Sequence, residues 1–133
     1  GFRATLSTWT LTLGSSVLDG AQIDALAALG TPLSEFFMTI TREPRRQARQ
    51  RYGRVMSTHP DSLTCACAID EALILESADC VADVEVQGEL TRGFSLIHPP
   101  SLGSRWPEKT PNIRVIRRAD NARFFEMLRT ALL

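Results

Sequence analysis

Between Val81 and Gln87 apolar and polar residues alternate strictly, with Ala82, Val84 and Val86 on one side and Asp83, Glu85 and Gln87 on the other. A two-residue period belongs to extended chain with one face on a core and the other in water. A chain carrying such a segment must supply something apolar to cover the buried face. Gly88 interrupts the run, and extended character resumes from Thr91 to Ile97, which predicts a bulged or hairpin-like pair. Ile113 and Val115 flank Arg114 in the same alternating way and predict a last strand.

The covering elements are helices, and they occupy most of the first half. Asp19 is placed to cap a helix whose Ile23, Leu26 and Ala27 share one face. Gly30 fits the left-handed position that ends it, and Thr31-Pro32 restarts the chain with a capping hydroxyl and a proline that needs no N–H in a first turn. Leu33, Phe36, Phe37 and Ile40 then form an apolar stripe at helical spacing. Pro44 opens an Arg-rich segment running to about Met56, and Pro60-Asp61-Ser62 begins another helix. Asn121 or Asp120 caps a closing helix with Phe124, Phe125, Leu128 and Leu132 on its face. Upstream of all these, Thr10 to Leu13 (TLTL) reads as a short strand, and His98 to Pro111 reads as a proline-rich surface loop. The order is strand, several helices, two or three strands, helix. That is a mixed α/β pattern in a single domain, residues 1–133.

Charge and cysteine content narrow the function classes. Lys and Arg together number 15, matched by 15 Asp and Glu, so the net charge is zero and no global field favours nucleic acid or an anionic membrane. Arg42, Arg45, Arg46, Arg49, Arg51 and Arg54 read as a solvated helix face. No apolar run is long enough for a membrane span, and the start is too rich in hydroxyl residues for a signal peptide. The first residue is Gly1, directly followed by strand-like sequence, which leads to the expectation that an upstream segment has been lost. Cys65, Cys67 and Cys80 form no disulfide framework or zinc pattern and read as reduced, buried thiols of a cytoplasmic protein. Trp9 and Trp106 are expected to be packing residues.

Four stretches, in order, carry a resemblance: ALGTPLSEFF from Ala28 to Phe37, DCVADVEVQGELTRGFSLI from Asp79 to Ile97, PNIRV from Pro111 to Val115, and the closing ARFFEMLRTALL. Together they are similar to the C-terminal part of the inosine–uridine-preferring nucleoside hydrolases, with GELTRG (Gly88 to Gly93) at the centre of the match. The resemblance implies the C-terminal portion of a Rossmann-like, open, mostly parallel α/β sheet with its N-terminal half missing. It implies a calcium-dependent hydrolase that cleaves the N-glycosidic bond of ribonucleosides, in a family of dimers and tetramers. Such chemistry needs a base-activated water and a Ca²⁺ ion that orients it against the ribose.

In that family most ligands and the general base come from a D-T-D-x-G-x-D-D motif, and no such run occurs here. The matching remnant is His59-Pro60-Asp61-Ser62-Leu63-Thr64, in which Asp61 falls on the position of a Ca²⁺-ligating Asp. By its chemistry alone Asp61 is a helix-cap residue. The family often has, just before that Asp, a His that protonates the leaving base, but Pro60 stands there; His59 is one position earlier and is the candidate catalytic residue. A strand expected after TLTL is missing, with only Ser15 and Ser16 left between that strand and the next helix. Glu89 and Arg92 are read as a structural ion pair or subunit contact. A chain of this kind is expected to be inactive alone and to need a homo-oligomer or a complementary chain over its open sheet edge and apolar faces. The alternative is a non-enzymatic interaction domain that keeps the scaffold.

Overall fold

The computed structural model describes residues 4–101 and 109–133. Trp106 and the centre of the proline-rich loop lie outside the described residues. Six strands and six helices follow in the order β1 (Ala4–Ser7), α1 (Trp9–Ser15), β2 (Val17–Asp19), α2 (Gly20–Ala27), α3 (Pro32–Ile40), α4 (Arg42–Tyr52), β3 (Met56–Thr58), α5 (Pro60–Ile69), β4 (Ile74–Val84), β5 (Ser95–His98), β6 (Ile113–Ala119) and α6 (Asn121–Ala131). Strands β1, β6, β4 and β5 form a sheet in that spatial order, and β2 and β3 form a separate pair. The β1–β6 pairing is parallel, with Leu6 opposite Val115, whereas β4 runs antiparallel to both β6 and β5. The α/β fold is therefore present, and within this chain its parallel character enters through β1 and β6.

TLTL is not a strand. It lies inside α1, whose N-cap Thr8 accepts a hydrogen bond from the Leu11 N–H, and whose buried residues Leu11, Thr12 and Ser15 lie on one helical side. The β preference of threonine is weak against a cap and a packing face. The extended segment lies one turn upstream, in β1. Nor is the chain bare of a strand after α1: Val17–Asp19 pairs antiparallel with Met56–Thr58, so Ser16 links a helix to a strand.

The other helix boundaries follow their caps. Asp19 accepts from the Gln22 N–H while the Gln22 side chain accepts from the Asp19 N–H, a reciprocal capping box. Asp19→Ala is expected to lower stability by about 1 kcal/mol in urea denaturation; an unchanged midpoint would show that the box contributes nothing. Gly30 adopts φ +61°, and Thr31 and Asp120 cap α3 and α6. Leu11, Leu18, Ile23, Leu26, Leu63 and Phe124 belong to one hydrophobic core between sheet and helices. Part of the sequence stripe on α3 stays outside it: Phe37 and Met38 pack on the core while Leu33, Phe36 and Ile40 are exposed. Trp9, expected to pack, is 64% exposed.

Candidate functional site

The start of α5 carries both candidate residues. Its position is fixed from below by β3, which pairs with β2, and by the Ser16 backbone and side chain. The His59 N–H donates to Ser16 O at 3.2 Å and to Ser16 Oγ at 3.1 Å. Ser16 Oγ in turn donates to Thr12 O, while Ser15 Oγ accepts the Ala119 N–H and the Asn121 amide donates to the carbonyls of Ser15 and Val17. Three small hydroxyl or amide residues therefore tie the end of α1 and the start of β2 to the C-terminal end of β6. The α5 start is built on that joint.

His59 occupies the N-cap position of α5 and makes no capping bond through its side chain. Its ring is stacked on Phe37, with centroids 5.2 Å apart and planes inclined by 30°. The residue is 7% exposed, and Nε2 is buried without a hydrogen-bond partner. Burial, and secondarily the Arg45 guanidinium, lower its pKa from 6.5 to about 4. At neutral pH the imidazole is uncharged. From sequence position alone His59 reads as a surface-loop histidine; the structure instead buries it against α3, a product of the tertiary fold.

Asp61 sits in the first turn of α5, behind Pro60, and is exposed. Its carboxylate lies at the positive end of the helix, a favourable place for an anion. Next to α5 a groove of about 300 Å³ is lined by Thr5 and Ser7 of β1, Ile116 of β6, and Thr64, Cys67 and Ala68 of α5. Thr64, three residues on from Asp61, lines this groove; Asp61 does not. The two candidates are thus neighbours in sequence but differ in setting, one sealed against Phe37 and the other in water.

Calcium requires roughly six to eight oxygen ligands. Among the described residues no three His, Cys, Asp or Glu side chains converge to hold a metal ion. The one carboxylate at the α5 start falls far short of that donor set, and no catalytic step through a metal follows from this chain's own residues. The thiols are free, with Cys67 and Cys80 buried, but Cys65, against expectation, exposed.

GELTRG forms the turn of the β4–β5 hairpin. The Glu85 carboxylate accepts the Gln87 and Gly88 N–H groups, and the Glu85 carbonyl accepts the Gly93 N–H. A Cβ on Gly88 would force the Thr91 hydroxyl to move, and Gly93 has φ +86°, a conformation that favours glycine. Glu89 and Arg92 are exposed and form no ion pair with each other. The motif that is most distinctive in the sequence is a folding element. Among the described residues no helix is long and apolar enough to cross a membrane.

Comparison with known proteins agrees with this architecture. The family model described as inosine-uridine preferring nucleoside hydrolase matches residues 1–126. Among solved structures, an inosine-guanosine nucleoside hydrolase superposes with a TM-score of 0.73 at 25% identity, over 96% of this chain and 38% of that one. A plant nucleoside hydrolase gives a TM-score of 0.79 at 17% identity, covering 96% of this chain and 40% of its own. A purine-preferring ribonucleoside hydrolase from Gardnerella vaginalis gives 0.74 at 20% identity, over 96% and 39%. No curated protein sequence matches. The chain spans about two fifths of the length of these solved relatives. With the family model covering nearly its whole length and the same fold recovered in three nucleoside hydrolases, the chain belongs to the inosine-uridine preferring nucleoside hydrolase family.

Proposed function

We propose that this chain is a portion of a ribonucleoside N-glycosidase, acting in the hydrolysis of a nucleoside to ribose and free base, and that it is inactive by itself. The family match over residues 1–126 carries the reading. Asp61 is assigned as one carboxylate of a calcium site whose remaining ligands lie outside this chain. His59 is the candidate near the leaving base; in its present setting, covered by Phe37 and with its pKa lowered to about 4, the neutral imidazole has no acidic proton to give that base at neutral pH, so the role requires the completed site to change its surroundings. The substrate is a ribonucleoside and the location cytoplasmic, on the family resemblance and the reduced cysteines respectively.

Reducing-sugar release from inosine and uridine, measured with Ca²⁺ on chain shown by circular dichroism to be folded, is expected to stay at background. Clear turnover would overturn the claim of inactivity. Mixing the chain with a polypeptide comprising the unmatched part of the inosine-guanosine relative is expected to restore release. Asp61→Asn should abolish that restored activity, and full activity in this variant would remove Asp61 from the site.

A second reading, an interaction domain that keeps the hydrolase scaffold, is favoured by one observation. Large apolar side chains stand exposed on several elements, among them Trp9, Phe36, Leu90 and Phe94. Leu90 and Phe94 share the tip of the β4–β5 hairpin, and an exposed apolar pair on a projecting turn is suited to meeting another surface.

A further inference from the structure

Between α1 and α4 lies a groove whose lining is not accounted for by packing. Pro44, Ala48 and Tyr52 recur every four residues along one side of α4, and Trp9 and Leu13 stand four apart on α1. These two stripes, with Arg54 and strand β3, line a cavity of about 300 Å³. That volume is at the lower end of the range for small-molecule sites. Neither His59 nor Asp61 lines it.

The floor of the groove holds an unmet polar group. Ser57 is 3% exposed and lines the cavity, and its hydroxyl is buried with no hydrogen-bond partner. A buried hydroxyl ordinarily finds a partner, so an orphan beside an open groove marks a place where an incoming polar atom completes the bond.

The walls are aromatic and bare. Trp9 and Tyr52 both line the cavity and both are exposed. No residue of α4 is buried, although a short helix normally owes its stability to a packed apolar face. Two such side chains beside a small cavity present ring faces on which a planar ring can stack. The charge at the mouth has one sign. Arg54 lines the groove and the Arg51 guanidinium lies 5.6 Å from the centre of the Tyr52 ring. Among the described residues no Asp or Glu lines the cavity, and Glu43, the acidic residue of α4, is paired with Arg46. A guanidinium beside an apolar floor is suited to a planar carboxylate, which it can bind through two parallel hydrogen bonds.

We infer that the α1–α4 groove binds a small aromatic carboxylate, its ring against Trp9 and Tyr52, its carboxylate on Arg54, and a polar atom across the ring bonded to Ser57 Oγ. The positive mouth separates this ligand class from neutral ribonucleosides, and the inference does not rest on nucleoside hydrolysis.

Isothermal titration of the folded chain with 4-hydroxybenzoate tests it. Saturable binding is expected with a Kd of about 1 mM or tighter, as suits a ligand of this size. 4-Hydroxybenzamide keeps the shape without the charge, and benzoate lacks the hydroxyl; each should bind at least about fivefold more weakly. Arg54→Gln should cost at least about tenfold in affinity and Trp9→Leu about fivefold. Both positions are exposed, so both variants should fold. Ser57→Ala is expected to lose the preference for 4-hydroxybenzoate over benzoate while the urea midpoint of the free chain stays level or rises, because the unmet hydroxyl is gone. Absence of saturable binding up to about 10 mM would overturn the proposal. Equal affinity for the benzamide would do the same, as would a preference for the hydroxyl retained in Ser57→Ala. Tighter binding of hypoxanthine or uracil than of 4-hydroxybenzoate would also sink it, by making the groove a base-binding surface.

Discussion

Phe124→Ala is expected to destabilise the chain by about 3–5 kcal/mol, the usual range for deleting a buried phenylalanine ring. Phe124 is 1% exposed and sits in the first turn of α6, which Asp120 caps through the Arg123 N–H. Its ring belongs to the cluster that includes Leu18, Ile23, Leu63, Leu73 and Ile116, so it joins α6 to α2, α5 and β6 at one point. Domains of this size have a total stability of about 5–15 kcal/mol, and losing 3–5 removes a large fraction of it. Urea denaturation should show the midpoint falling with an unchanged slope. A loss below about 1 kcal/mol would mean that the α6 seat collapses around the cavity or was never tightly filled. Because α5 packs on the same cluster, the setting of His59 and Asp61 depends on this contact.

The second large effect is a dependence of stability on pH. His59 is an uncharged imidazole in the fold because burial and then Arg45 lower its pKa from 6.5 to about 4. The unfolded chain binds a proton below about 6.5, whereas the folded chain does not bind one until about 4. The unfolded state therefore gains protons first as the pH falls, and stability drops through the window from about 6.5 to about 4. Below the window no further loss comes from this group. The two values correspond to about 3 kcal/mol across the whole interval. Glu43, Asp83 and Glu85 also have lowered pKa values, from hydrogen bonds to Arg46, Lys109 and the turn backbone respectively, and their contributions are lost as the pH falls through the carboxylate range. Their effect overlaps the lower half of the window only. His59→Phe keeps an aromatic ring against Phe37 and removes the titration. Denaturation midpoints of the two proteins at pH 7, 6 and 5 should diverge, with the parent falling and the variant nearly flat. Equal slopes would show that His59 is hydrated or paired in solution.

The positions legible in advance were those fixed by local chemistry. The boxes and caps at Asp19, Thr31 and Asp120, the left-handed Gly30, and the hairpin around Gly88 are decided within a few residues, where hydrogen bonding and sterics leave little choice. Phe124 and Leu132 declared a core face by their spacing. TLTL misled because alternation over four residues satisfies both periods; a cap at Thr8 and burial of Thr12 decided for helix. The stripe of α3 was visible but its occupancy was not, since spacing shows which side chains share a face and says nothing of what lies opposite. The same limit applied to Trp9, which needed the position of α4 to become one wall of a groove.

The candidate site divides along the same line. His59 and Asp61 were marked by the order of residues, and the helix start between them is a local consequence of Pro60. That one is buried against Phe37 and the other left in water was decided by the packing of α3 on α5, a contact between residues 22 positions apart. Family membership came from residues in sequence order, because turn glycines and strand alternation are written in consecutive positions. The setting of the imidazole and the groove between α1 and α4 came only with the tertiary structure, because burial depends on what distant segments bring alongside.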